Sequence, residues 1–443
     1  MSPTRRELLS WGAIALGGAA VAACGSAQRA PQASPSPSST GSATSAEALA
    51  SLALWTAQRG AEGGSYGIGG ALVESATGRV LQTMPNRVFQ TLHPDVQGTS
   101  GTTFVQDPTA HGERQLMSWY LANRTPLGLP PPEALTVVTS LDPCLMCGSS
   151  ILTAGVNAAV IALDDYSGVN YDAKATFTDL PEPLRADAVE TFGYYAVTGV
   201  RDFQGSRLIA YADEPVTQQT YQACIDIYNS SANTVRASRR GDATAPSALL
   251  DPATNDAAID VIRAYQVRYP DAFTVKVSDG RRPTKAVYDA LTALVRTTPG
   301  ARNAVGFLDP FGNLVVAAAD QEKVNPLSTA FALCTRAYAE TRYALVNTPR
   351  TNAIAVQSLT NPNFGTFVFL EAPDPYSPQG MFDIGAYGST MGGSASPFIP
   401  SAFQYYELPP GVSELDLQDV IFPLPPLYSA NIKILPQRVV GAR

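Results

Sequence analysis

Two short segments restrict this chain more than anything else in it. Residues 107–113 read Asp-Pro-Thr-Ala-His-Gly-Glu, and residues 142–147 read Asp-Pro-Cys-Leu-Met-Cys. The whole chain has only two histidines and five cysteines, so His111, Cys144 and Cys147 make up much of its supply of nitrogen and sulfur ligands. Cys144 and Cys147 stand three apart where a helix is expected to begin, so both thiols can face one point. Helix N-terminal amides and the helix dipole favour thiolates there. Adding the neutral imidazole of His111 gives three protein ligands for a zinc ion and leaves the fourth tetrahedral position open. That is the arrangement of a catalytic rather than a structural site. Glu113, two residues past the ligand, is then placed to move protons without binding metal. Alternative readings of Cys-x-x-Cys are a redox pair or half of a structural zinc site. A structural site lacks its second pair, because Cys24 lies in the leader and Cys224 and Cys334 stand alone. A redox pair leaves the His-x-Glu triplet unexplained.

His-x-Glu followed by Pro-Cys-x-x-Cys is the signature of the zinc deaminases of nucleobases. The stretch from Ala71 to about Asp165 resembles the zinc-binding domain of the cytidine and deoxycytidylate deaminase superfamily. Its motifs are nearest to the branch of tRNA adenosine and guanine deaminases. Gly112 stands where that branch usually has Ala or Val, and Asp142 where it usually has Glu. The resemblance implies that His111, Cys144 and Cys147 bind zinc and that Glu113 is the proton shuttle. It also implies a substrate-binding asparagine on the loop after the first hairpin, matched here by Asn86; a plain turn asparagine is the other reading. The activity it implies is zinc-dependent hydrolytic deamination of a base, a nucleoside or a similar small amidine-bearing molecule. Two alternatives stand beside it: a secreted deaminase acting on a macromolecule, and a non-catalytic cell-surface binding module that keeps the zinc shell.

Around the motifs the pattern is α/β. An apolar helical stretch (Leu49, Leu52, Leu54, Trp55) precedes a hairpin, Ile68–Val73 and Arg79–Leu81, turning at Thr77-Gly78. Asp107-Pro108 reads as the cap of a helix over 109–122, and Asp142-Pro143 as the cap of a second. Strands are expected at Thr136–Ser140 and Ala158–Leu163. This order predicts a three-layer, deaminase-like mixed sheet flanked by helices. The second half repeats the order in degenerate form: a helix over Val287–Val295, strands at 304–308 and 313–316 about Gly312, and a helix start at Asn325-Pro326. That register puts Thr329 and Phe331 in the places of His111 and Glu113. It reads Ala353–Leu359 as a strand, and puts Pro362 and Gly365 in the places of the cysteines. No ligand survives there, so residues 255–443 are expected to form an inactive partner domain and the chain an internal pseudo-dimer. Domain limits follow: a zinc domain over 47–232, a small, polar connector over 233–254, then the partner domain. The Tyr- and Pro-rich stretch from Phe398 to Tyr428 gives no ligand signal and reads as extended surface chain.

The first residues read as an address rather than as fold. Arg5-Arg6, an apolar run from Trp11 to Ala23, and Val-Ala-Ala-Cys ending at Cys24 resemble a twin-arginine export signal with a lipobox. The resemblance implies cleavage before Cys24, lipid on its thiol, and a protein anchored on the outer face of a bacterial cytoplasmic membrane. Residues 25–46 are Ser, Pro, Ala and Thr with almost no large apolar side chain, and read as a tether. A net charge of -8 works against gripping nucleic acid, which needs a basic surface to replace phosphate counterions. A small-molecule substrate is expected.

Overall fold

In the computed structural model, Ala46–Glu62 forms helix α1, started by Ser45, whose hydroxyl accepts the Ala48 N–H at 3.1 Å. The structure describes residues 41–96, 102–197, 203–205, 208–238, 246–280, 282–391, 403–431 and 436–440. The chain divides into the compact units Met1–Pro37 and Ser38–Arg443, and every described residue belongs to the second. The leader, Cys24 and most of the tether lie outside the described residues. The last tether residues do not behave as tether. Ser42 bridges to Arg79, and the Ala43 N–H bonds Gly78 O at 3.0 Å. A hairpin end offers free backbone groups that small residues satisfy as well as large ones. Among the described residues no helix is long and apolar enough to cross a membrane.

The first half continues with strands β1 (Gly69–Glu74), β2 (Val80–Pro85), β3 (Phe89–Thr91) and β4 (Thr103–Val105). Helix α2 (Gly112–Asn123), β5 (Leu135–Leu141), α3 (Leu145–Ala154) and β6 (Asn157–Ala162) follow. Then come α4 (Leu184–Thr191), β7 (Phe192–Tyr194), β8 (Phe203–Gln204) and α5 (Gln218–Ser238). The strands make a mixed sheet in the order β2-β1-β5-β6-β7-β8. Alternation along each strand assigns the two faces. Leu72, Val137, Ala158 and Val160 point into one apolar cluster with Leu116, Met117 and Tyr120 of α2 and Leu145, Met146 and Ile151 of α3. Their neighbours Ala71, Val73, Val138, Ala159 and Ile161 point the other way, to Leu49, Leu52 and Ala53 of α1 and Cys224 of α5. Each large aliphatic buried so contributes roughly 1.5–3 kcal/mol, and the result is the three-layer arrangement.

The second half holds α6 (Ile259–Arg268), α7 (Lys285–Thr297), β9 (Ala304–Leu308), β10 (Leu314–Ala319), α8 (Ala330–Val346) and α9 (Pro349–Ser358). After these come β11 (Thr366–Glu371), α10 (Pro378–Met391), β12 (Gln404–Glu407), α11 (Glu414–Ile421), α12 (Pro426–Asn431) and β13 (Gln437–Arg438). Its sheet runs β10-β9-β11-β12-β13. In both sheets the first hairpin and the next pairing are antiparallel, and the two pairings after those are parallel. The hairpin turns match too, with Gly78 and Gly312 both at left-handed φ, +64° and +86°.

Three expectations fail locally. Ala353–Leu359 is helix α9 and its C-cap rather than a strand. Pro349 sits at a helix start, and the side chains of Thr351 and Asn352 bond back to Leu345 O and Val346 O, which favours one more helical turn over a strand. The register beyond α9 therefore slips: Pro362 and Gly365 flank a short turn before β11, not the helix start after it. The connector also starts later than its composition suggests. Helix α5 runs to Ser238 because one face of its polar end is buried. The Ser231 hydroxyl accepts the Gly67 N–H at 2.6 Å, and Val235 packs on Val88 and Phe89.

The halves meet helix to helix. α3, which follows the Asp-Pro-Cys segment, lies against α10, and a Cβ at Gly385 would collide with the backbone of Met146.

Candidate metal centre

Neither aspartate of the Asp-Pro pairs caps a helix. Asp107 Oδ1 accepts the Thr109 N–H at 2.8 Å and the Thr109 hydroxyl at 2.7 Å, folding a turn that ends at His111. Asp142 accepts the Asn170 N–H at 2.9 Å and the Tyr194 hydroxyl at 2.7 Å. The N-caps are His111 for α2 and Cys144 for α3, both extended and neither making a side-chain cap bond. The Asp107 turn and the long-range bonds of Asp142 thus leave His111 and Cys144, rather than a conventional cap, at the two helix starts.

Those starts converge. The ligand atoms of His111, Cys144 and Cys147 all lie within 4.8 Å of one another, and no other His, Cys, Asp or Glu cluster among the described residues does this. His111 Nδ1 is 3.5 Å from Cys144 Sγ, and both thiols are free. Two thiols and an imidazole at such spacing fit the edges of a zinc tetrahedron, whose bonds are about 2.0–2.3 Å. Glu113, buried in the first turn of α2, stands at the edge of this triad. Its Oε1 accepts the Thr139 hydroxyl at 2.7 Å, and the Cys147 thiol lies 3.4 Å from Oε2.

The electrostatics suit that chemistry. A hydrogen bond from Cys147 pulls Cys144 well below the usual thiol range, and burial opposes it only in part. Burial, then the hydrogen bond to Cys144 and its charge, pushes Cys147 up. Burial pulls the His111 imidazole down, but the Cys144 thiolate beside it outweighs this and leaves it raised. Glu113 is raised by burial, with the Thr139 hydrogen bond opposing. A divalent cation among these groups would favour the ionised thiols, since the site otherwise gathers uncompensated negative charge.

Asn86 follows β2 and is buried. Its Oδ1 accepts the Val88 N–H at 3.1 Å and the Ser65 hydroxyl, so the residue does make an Asx turn. Its Nδ2 has no hydrogen-bond partner. His93 is exposed and does not join the cluster; its N–H bonds Asn347 Oδ1 at 2.6 Å.

The second half keeps the turn but not the ligands. Asn325 Oδ1 accepts the Leu327 N–H at 3.0 Å, as Asp107 accepts that of Thr109, and each turn ends at a helix N-cap. There Thr329 replaces His111: its hydroxyl caps Ala332 and donates to Asp383. Phe331, in the first turn, is buried among aromatics. The turns also touch across the halves. Arg336 of α8 lies 3.1 Å from Asp107 Oδ2, and Asn325 Nδ2 donates to Ser118 O of α2 at 3.2 Å. The shift in numbering that carries Asp107 to Asn325 carries Ser118 to Arg336, so the contact is reciprocal.

Two residues here escaped the sequence reading. Tyr428, in a stretch read as surface chain, is fully buried, with its ring over Gly388 of α10. Asp179 is fully buried, both its oxygens lack a hydrogen-bond partner, and burial drives it well above the carboxylate range. A tyrosine in a short helix and an aspartate in a loop carry no spacing that would mark them.

No protein-family model matches the chain, and no curated protein matches it. Among solved structures it is similar to one from a study of A-to-I editing by tRNA:A34 deaminases. That likeness is at 25% identity, covers 28% of this chain and 80% of that one, and has a TM-score of 0.21. It is also similar to a guanine deaminase from Nitrosomonas europaea at 16% identity, covering 44% of this chain and 88% of that one, TM-score 0.28. A third, solved in complex with 2,6-diaminopurine, is 18% identical over 42% of this chain and 81% of that one, TM-score 0.27.

Proposed function

We propose that the chain is a zinc-dependent hydrolytic deaminase acting on a base, a nucleoside or a similar small molecule with an exocyclic amine on an amidine carbon. The observation that carries this reading is the convergence of His111, Cys144 and Cys147 with Glu113 held at their edge by Thr139. His111, Cys144 and Cys147 would hold zinc, and the metal would supply activation of water as a nucleophile at neutral pH. Glu113 then does the proton work. Buried and raised, it takes a proton from water, passes it to the ring nitrogen, and moves a second to the departing amine, so that water is consumed and ammonia released. Thr139 holds one carboxyl oxygen, and the other faces the cluster, 3.4 Å from Cys147 Sγ. The unpartnered Asn86 amide is the group we assign to a substrate oxygen or ring nitrogen. The net charge of -8 favours a small substrate over nucleic acid.

The second half is, on this reading, a built-in partner that makes the chain an internal pseudo-dimer. The matching strand orders and the reciprocal Asp107–Arg336 and Asn325–Ser118 contacts support it, since self-complementary contacts are what a two-fold interface makes. We extend the proposal to location: twin-arginine export and a lipid on Cys24.

The test is metal content together with ammonia release over a panel of bases, nucleosides and pterins, comparing the unaltered protein with Glu113→Gln. One zinc per chain in both, with ammonia from the unaltered protein alone, is the expected result. Absence of zinc from the unaltered protein after supplementation would overturn the reading.

A further inference from the structure

Asn86 and His111 stand at the two ends of one excursion of the chain. Between them strands β3 and β4 pair only with each other, as an antiparallel two-stranded arm outside both main sheets. The neck of the arm is closed by the Arg87 N–H, which donates to Ala110 O at 2.8 Å. Ser65 ties the arm to Asn86: its hydroxyl donates to Asn86 Oδ1 and accepts the Phe89 N–H at 3.1 Å. A two-stranded hairpin is at best marginally stable in water by itself, so this one depends on what it rests against. One side rests on the first half, where Val235 of α5 packs on Val88 and Phe89. The other rests on the second half. Arg342 of α8 is 5% exposed, and its Cζ lies 4.7 Å from the ring centre of Phe104 in β4, a ring that is itself buried. The end of the same helix takes hold of the arm's backbone. The Tyr343 hydroxyl donates to Thr91 O at 3.2 Å, and Asn347 Oδ1 at the helix C-cap accepts the His93 N–H at 2.6 Å.

We propose that Arg342 is a positioning residue for substrate: seated under Phe104, it lets the second half hold the β3–β4 arm, and through Ser65 the Asn86 amide, in the binding-competent place. This rests on the deaminase reading above. A guanidinium out of water against an aromatic face is the strong form of the cation–π contact, and it falls on the strand opposite the one that Ser65 grips. The His111 end of the excursion is fixed separately, by the Asp107 turn and by the Gln115 amide, which donates to Ala110 O at 3.0 Å. Loosening the arm therefore falls on the Asn86 end, on binding rather than on the chemical step. A side chain that serves binding in this way moves KM and leaves kcat and metal content as they are.

The test compares the full chain loaded with Zn2+ with Arg342→Met, Arg342→Lys and Phe104→Leu. The last breaks the contact from the arm's side, in case loss of a buried arginine unfolds α8. Amide hydrogen exchange is read at Leu92 and Gln106, whose N–H groups close the arm on Thr102 O and Val88 O, with strand β5 as the internal control. Ammonia release from the base, nucleoside or pterin that the unaltered protein turns over fastest gives kcat and KM. In Arg342→Met and Phe104→Leu the arm amides should exchange about 2–30-fold faster, the range of a cation–π contact, while β5 stays as it was. KM should rise at least about twofold at unchanged kcat and zinc content, because a smaller fraction of the protein is competent to bind. Arg342→Lys, which keeps a cation at the ring, should lie between these variants and the unaltered protein in both readouts. Unchanged exchange in the arm, or faster exchange there at unchanged KM, would overturn the inference and leave the zinc reading standing. Absence of ammonia from every compound with the unaltered protein would overturn that reading and this inference with it.

Discussion

Replacing Asp107 with asparagine should destabilise the protein by about 3–5 kcal/mol, the cost of removing one partner from a buried ion pair. The geometry sets that magnitude. Asp107 is 5% exposed, and its Oδ2 sits 3.1 Å from both Arg114 Nη2 and Arg336 Nε. The Arg114 side chain is 8% exposed and has no route to water, so neutralising Asp107 leaves a buried guanidinium beside a second one. Arg336 differs: at 37% exposed its charge is already shared with solvent, and Arg336→Met should cost no more than about 1 kcal/mol. The double variant should cost less than the sum of the two, since removing Arg336 relieves the repulsion that Asp107→Asn creates. Urea unfolding of the four proteins, followed by fluorescence, reads all three quantities. Zinc retention is the second readout, because the Asp107 turn is what sets His111 at its helix start. A value for Asp107→Asn within about 1 kcal/mol of the unaltered protein would refute the argument, because it would mean that Arg114 is hydrated without its partner.

Glu113→Gln should lower ammonia release by about 10²–10⁴-fold at unchanged zinc content; comparable rates in the two proteins would remove Glu113 from the chemistry. Gly385→Ala should cost about 1–3 kcal/mol, seen as a lower urea midpoint at constant slope, because its Cβ meets backbone atoms of Met146 that cannot swing away. A neutral result would mean that α3 and α10 are less tightly packed than described. Burial raises Asp309 from 3.8 to about 6. Below the lower value both folded and unfolded chains hold the proton; as pH rises toward 6 the unfolded chain ionises freely and the folded one cannot. Stability should therefore fall over this window by about 3 kcal/mol, at 1.36 kcal/mol per pH unit of displacement. Asp309→Asn should flatten that decline, and an unchanged pH profile of urea midpoints would count against it.

How much of this was legible beforehand depended on whether a residue's role was local. Cys-x-x-Cys and His-x-Glu declare themselves through spacing, and the structure brings all four side chains together as the spacing required. The hairpins were legible because Gly78 and Gly312 mark their turns. The helix starts were misread by a few residues: Asp-Pro is a good cap signal, but here Asp107 holds a turn, Asp142 bonds to Asn170 and Tyr194, and the cap positions fall to His111 and Cys144. The slip in the second half came from α9, whose Ala-Ile-Ala-Val stretch suits strand or helix and was decided by Pro349 and the side-chain bonds around Thr351. Tyr428 was invisible for a different reason. Its burial depends on elements distant in sequence, since its ring is seated over Gly388 of α10.

The two N-cap residues that carry ligand atoms have a wider consequence. A helix start with a proper side-chain cap is more stable by about 0.5–2 kcal/mol than one without, and the first half forgoes this twice, at His111 and Cys144. Thr329, at the corresponding position of the second half, caps its helix. The His111, Cys144 and Cys147 cluster is thus assembled at two uncapped helix starts, a local cost in helix stability that the equivalent start at Thr329 does not bear.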